Sequence, residues 1–108
     1  ELYPGKEITA IFQPHLYSRT RDFMSGFAQA LEAFDRLILM DIYPARERPI
    51  PGITSEALLR KIALKQKFHL GKEDILRNIT QHPPQVLVTL GAGDIDQLVQ
   101  ALKMTLVQ

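Results

Sequence analysis

Three stretches of this sequence hold side chains able to do chemistry. The first is Gln13-Pro14-His15-Leu16-Tyr17-Ser18-Arg19-Thr20-Arg21-Asp22. An imidazole such as that of His15 can donate to a substrate or orient it, or simply bond a neighbouring carbonyl. Arg19 and Arg21 fall where a helix should start, and the helix dipole disfavours cations there. A guanidinium held against that field asks for an anion, and its planar fork suits a carboxylate or phosphate. For Arg19 the alternatives are a ligand's anion, an acid of this chain, Asp22 or Asp41, and a plainly solvated side chain; Arg21 reads as structural. The second stretch is Asp41-Ile42-Tyr43-Pro44-Ala45-Arg46-Glu47. A carboxylate such as Asp41, at the end of a buried strand, can hold an ammonium group or cap a turn. The third, Gly91-Ala92-Gly93-Asp94, joins a strand to a helix. Its glycines permit close backbone approach. It is neither G-x-G-x-x-G nor a P-loop, and Asp94 puts negative charge where a phosphate would sit. Dinucleotide binding is disfavoured; the turn suits a carboxylate or amine contact, or is plain structure.

The elements that must position these loops follow from periodicity. Residues 8–12 form a β-prone run stopped by Pro14. Residues 19–34 carry Phe23, Phe27, Leu31 and Phe34 at helical spacing, widened by Met24 and Ala28, with Ser18 or Thr20 as the cap and Asp22 in the first turn. Residues 36–42 are nearly all apolar and do not alternate, as in a strand buried on both faces. A proline-rich loop, closed by Gly52, leads to a helix opened by Thr54, with Leu58, Leu59 and Ile62 inward. Residues 67–70 read as an edge strand, and residues 72–81 as a helix with Ile75, Leu76 and Ile79 on one face, ended by Pro83 and Pro84. Residues 85–90 read as a second core strand, and Asp94 as the cap of a last helix carrying Ile95, Leu98, Val99 and Leu102. Strand and helix alternate throughout, which predicts one α/β domain with a mainly parallel sheet and helices on both faces. In such a sheet, ligands bind beyond the carboxyl ends of the strands, where all three loops fall.

Composition bounds the function. The 108 residues are 45% hydrophobic and 23% charged, an ordinary globular mixture. Thirteen basic against twelve acidic residues leave a formal charge of +1, without the basic excess of a nucleic-acid module. There is no cysteine, hence no disulfide, thiolate metal site or cysteine nucleophile, and a reducing cytoplasm is the expected compartment. No apolar run is long enough to span a membrane, and no signal peptide opens the chain. His69 reads as a sheet residue and His82 as a loop residue; no two histidines have metal-ligand spacing, so no metal site is expected. Arg60, Lys61, Lys65 and Lys67 read as a solvated face.

The block from Phe12 to Asp22, followed by Asp41-Ile42-Tyr43-Pro44-Ala45-Arg46-Glu47, Pro49-Ile50-Pro51-Gly52-Ile53 and Leu90-Gly91-Ala92-Gly93-Asp94-Ile95, resembles the C-terminal domain of the Mur ligases. The likeness covers nearly the whole chain, in order and spacing. It lies closest to the branch adding L-alanine to UDP-N-acetylmuramate; the tripeptide-recycling branch has an F-E-P-R-S-N type segment in the first block. The resemblance implies a Rossmann-like, doubly wound domain that brings the incoming amino acid to an acyl phosphate, in cytoplasmic peptidoglycan precursor synthesis. ATP and Mg2+ would be bound mainly by a central domain against which this one packs. Carried onto this sequence, the amino-acid site comprises His15, Arg19, Asp41, Tyr43, Gly91, Gly93 and Asp94, with Arg19 for the substrate carboxylate and no catalytic residue.

Two departures matter. Leu16 stands where many members have an arginine, which leaves more of the carboxylate recognition to Arg19. The family's D-D-Y-x-H-H-P segment is absent and should fall upstream of Glu1, so the domain is expected to be truncated at its N-terminal edge and inactive alone. Two other readings remain. A free-standing α/β binding or regulatory module, such as a receiver, would need acids after the first strand and a lysine after the last, where this chain has Gln13-Pro14-His15 and Gly91-Ala92-Gly93. A paralogous ligase for another amino acid would use the same loops, since small apolar differences between substrates are worth only about 1–3 kcal/mol.

Overall fold

The computed structural model describes residues 5–91, 93 and 95–107, with side chains considered up to residue 103. The order is β1 (Ile8–Gln13), α1 (Tyr17–Leu31), β2 (Arg36–Leu39), α2 (Ser55–Arg60), β3 (Gln66–His69), α3 (Lys72–Gln81), β4 (Val86–Gly91) and α4 (Ile95–Val107). The strands form one parallel sheet in the order β3-β2-β1-β4.

Residues of a strand point alternately to its two faces, and here both faces are covered. Ala10, Leu37 and Leu39 pack with Met24, Ala28 and Leu31 of α1, Leu58 of α2, and Ile62. Ile11, Ile38 and Met40 pack with Ile75 and Ile79 of α3 and with Ile95, Leu98 and Leu102 of α4. Two apolar layers around one sheet explain why residues 36–42 do not alternate. The expected doubly wound α/β fold is thus what the chain forms.

Several local expectations change. Helix α1 starts at Tyr17 and ends at Leu31, earlier than residues 19–34. Its buried stripe is Thr20, Met24, Ala28 and Leu31, while Phe23 is 59% exposed and has non-helical dihedrals. Burying Thr20 leaves no unpaired hydroxyl, because its Oγ1 donates to the Leu16 carbonyl at 2.8 Å. The small Ala28 lies against the sheet, and the larger Phe27 packs at the flank of the core. Strand β2 ends at Leu39, although Met40 and Ile42 stay buried beyond it. Strand β4 is an edge strand of this sheet, paired with β1 alone and only half-buried, not a core strand. Helix α2 behaves as expected, with the Thr54 side chain accepting from the Ala57 N–H at 3.0 Å. The Asp94 cap lies outside the described residues.

Gln13 ties the strand ends together. Its side chain is 2% exposed; Nε2 donates to the Asp41 carbonyl at 3.2 Å, and Oε1 accepts from the Ile95 N–H at 2.9 Å. One amide thus joins β1, the segment after β2 and the first turn of α4. At the opposite edge of the sheet, buried Arg36 donates to the His82 carbonyl at 3.3 Å and to Asn78 Oδ1, closing the end of α3.

Candidate functional site at the carboxyl edge of the sheet

From β1 the chain winds outward through β2 to β3, then returns to place β4 on the other side of β1. The carboxyl ends of β1 and β4 therefore flank a topological switch point, where open α/β sheets form their ligand crevice. The loops after β1, β2 and β4 converge there.

His15 and Tyr43 form an isolated parallel bridge beyond the sheet. The Tyr43 N–H donates to the Pro14 carbonyl at 2.8 Å, and the Leu16 N–H to the Tyr43 carbonyl at 2.9 Å. These bonds fix the two backbones, and the rings stack with centroids 5.8 Å apart and planes 13° apart. The other partner of Tyr43 is Gly93: a Cβ on Gly93 would collide with the tyrosine ring at Cγ, Cδ1 and Cε1. Gly91 likewise presses on the Gln13 backbone. Both glycines have positive φ, +118° and +99°. Close approach and backbone conformation therefore both require glycine at these positions. The structure brings His15, Tyr43 and Gly93 together, with Gly91 beside Gln13 at the end of the β1–β4 ladder. Asp94 is outside the described residues.

Arg19 lies in the first turn of α1. It is exposed, and it makes no hydrogen bond or ion pair with any described residue. Neither Asp22 nor Asp41 pairs with it: Asp22 pairs with Arg21 at 2.9 Å, and Asp41 turns to His69. Arg21 makes its pair with Asp22 at the surface. The start of α1 is capped by neither Ser18 nor Thr20. Instead Glu47, from the loop after β2, accepts from the Ser18 N–H at 3.0 Å and from the Ser18 hydroxyl. An anion at the positive end of the helix leaves Arg19 uncommitted. Leu16, at the N-cap, has a φ of +72°, a conformation uncommon for leucine.

The two Ser18 donors hold the Glu47 carboxyl below the ordinary glutamate value. A depressed carboxylate stabilises the fold above its unfolded pKa, and that contribution is lost as pH falls through the folded one. The thermal midpoint is therefore expected to drop in acid below about 4.5, and Glu47→Gln to flatten that drop. Asp22 is lowered too, through Arg21, so Asp22→Asn is the control. An acid limb unchanged by Glu47→Gln would clear Glu47 of this role.

Asp41 stands apart from the His15–Tyr43 stack. Its carbonyl takes the Gln13 bond, while its carboxylate, 87% exposed, meets His69 Nε2 at 2.6 Å. His69, read from sequence as a sheet residue only, is the last residue of β3 and stands at this same edge. Asp41 borders two hollows. One, of 290 Å³, is lined by Tyr17, Asp41, Ile42, Pro44, Thr54 and Ser55; the other, of 130 Å³, lies by Gln13, Leu70 and Lys72. A larger hollow, of 470 Å³, lies by Arg36 at the far edge, where the guanidinium is committed to the end of α3. His69 and Gln13 are the residues that sequence reasoning missed. Only a parallel register placing the ends of β1, β2 and β3 side by side reveals them.

Among the described residues, the edge thus carries an unpaired guanidinium at Arg19, the Asp41 carboxylate and the His15–Tyr43 ring stack. No family model matches the chain. Curated relatives do. The chain is 52% identical over 106 residues to UDP-N-acetylmuramate–L-alanine ligase of Flavobacterium johnsoniae, covering 98% of this chain and 24% of the relative. It resembles one segment of that ligase. The ligases of the same name from Cytophaga hutchinsonii and Parabacteroides distasonis are 50% and 48% identical over 103 residues, each match covering 95% of this chain and 22% of the relative. The chain spans about a quarter of the length of the ligases it matches. The likeness to the Mur ligases expected from the sequence blocks is borne out.

Proposed function

We propose that this chain is the C-terminal, amino-acid-binding domain of a cytoplasmic, ATP-dependent ligase that joins L-alanine to UDP-N-acetylmuramate. The observation that carries the reading is Arg19, an exposed guanidinium without an acidic partner among the described residues, at the edge where a parallel sheet binds its ligand. It holds the alanine carboxylate in a charge-assisted, two-point contact. Asp41 offers its carboxylate to the ammonium group, and the His15–Tyr43 stack forms a separate wall of the same edge. In the assembled enzyme, ATP converts the muramoyl carboxylate to an acyl phosphate. The free amine of alanine then attacks the acyl carbon; the new C–N bond forms, the amine gives up a proton, and the C–O bond to phosphate breaks, releasing inorganic phosphate with ADP as the other product. This domain contributes position and exclusion of water.

In this reading ATP phosphates and Mg2+ are not held by this chain. The sequence has no P-loop, and among the described residues no three His, Asp or Glu side chains stand close enough to hold a metal. They are assigned to the central domain, as is the UDP-sugar to the first. No described helix is long and apolar enough to cross a membrane, and neither membrane nor nucleic acid is a partner in this reading.

The test compares the full-length ligase with the isolated 108-residue chain. L-alanine-dependent ADP release is expected from the full-length protein and not from the chain alone. Absence of that activity in the full-length protein, or its presence in the isolated chain, overturns the reading. The free-standing binding module has no observation of its own in favour here, since the ligase likeness accounts for the same loops.

A further inference from the structure

His69 does more than end an edge strand. Its imidazole faces two carboxylates from two other segments: Asp41 Oδ1 at 2.6 Å from Nε2, and Glu56 Oε1 at 3.6 Å from Nδ1. The ring is only 26% exposed, whereas Asp41 is 87% exposed. The backbone under Asp41 is fixed separately, through Gln13. Main chain and side chain are thus held by different residues, and one carboxylate oxygen of Asp41 is committed to His69. A short bond from a half-buried ring selects one rotamer of a side chain that solvent would otherwise leave free.

We propose that His69 is a positioning residue: it fixes the Asp41 carboxylate at the mouth of the two hollows, with its second oxygen presented to the ammonium group of the incoming amino acid. Glu56, on α2, braces the far side of the ring. The proposal rests on the amine-binding role given to Asp41 above. It makes His69 a determinant of amino-acid affinity with no part in the bond-forming step.

The test is a double-mutant cycle in the full-length ligase, reading KM for L-alanine, kcat and KM for ATP. Asp41→Asn and His69→Ala are each expected to raise the alanine KM roughly tenfold, the scale of one hydrogen bond to a charged group. Values of kcat and of KM for ATP should stay within about twofold of the parent, since ground-state binding is what is lost. The double variant should be no worse than Asp41→Asn alone, because His69 acts only through that carboxylate. His69→Gln, which can still donate from a similar place, should restore the parent KM, and His69→Asn, one methylene shorter, should not. This pair decides the matter even where His69→Ala fails to fold. If Asp41→Asn raises KM while the His69 variants do not, or if the two effects add, the positioning role is overturned and the amine-binding reading stands. If neither moves KM, the role of Asp41 falls first and that of His69 with it.

Discussion

Replacing Arg19 with alanine in the full-length ligase is expected to raise the L-alanine requirement roughly 10- to 100-fold, the scale of losing a charge-assisted contact to a carboxylate. The KM for ATP should barely change, because the proposed function assigns the nucleotide to the central domain. The size of the effect follows from how little else competes for the group. Arg19 makes no contact with a described acid, Asp22 is held by Arg21, and Glu47 answers the dipole of α1 through Ser18. Leu16, three residues before Arg19, adds no second cation. Arg19→Lys should recover only part of the affinity, since an ammonium cannot reproduce the two-pronged geometry of a guanidinium. An alanine KM unchanged in Arg19→Ala would remove Arg19 from the site and take with it the observation that carries the proposed function.

The second large effect separates two glycines that sit two residues apart. At Gly91, a methyl group would strike the Gln13 backbone, which is locked in the β1–β4 ladder. Backbone cannot yield as a side chain can. Together with a φ of +118°, this predicts that Gly91→Ala destabilises the fold by about 2–5 kcal/mol, combining a strained residue with overpacking. At Gly93 the obstacle is the Tyr43 ring, a side chain that can swing aside. Gly93→Ala should cost less stability but unstack His15 from Tyr43, so the alanine KM should rise in a protein that still folds. Thermal melts and kinetics on the same two variants check the pair. Equal losses of stability, with no kinetic effect peculiar to Gly93→Ala, would mean that the Tyr43 wall takes no part in binding.

Much of this arrangement was legible in the sequence, and what was not has a common cause. Helix α3 was readable because its signals are local: Ile75, Leu76 and Ile79 at helical spacing, and a proline pair after its end. The two-sided burial of β2 showed as an unbroken apolar run. Parallel topology alone places His15, Tyr43 and the two glycines at one edge. The failures are side chains whose partners are remote in sequence. Glu47 caps α1 from 29 residues away, and His69 meets Asp41 across 28 residues. Phe23 misled for a different reason. A phenylalanine at helical spacing looks like core, whereas the buried stripe uses Thr20, polar by type but satisfied within its own helix. Asp41 was rightly placed at the edge, but the direction of its carboxylate depended on a histidine that the sequence presented as ordinary.

The bond between Gln13 and Ile95 spans 82 residues. During synthesis from the N-terminus, therefore, the loop carrying His15 and Arg19 leaves the ribosome long before the segment that completes the wall around it. The first three strands and their helices can be made in full while Tyr43 still has no Gly93 to rest on. Crevice formation is then a late, long-range closure, slower than the local helices that precede it. A nascent chain stalled before residue 91 therefore holds the loop of His15 and Arg19 without the Gly93 contact that backs Tyr43.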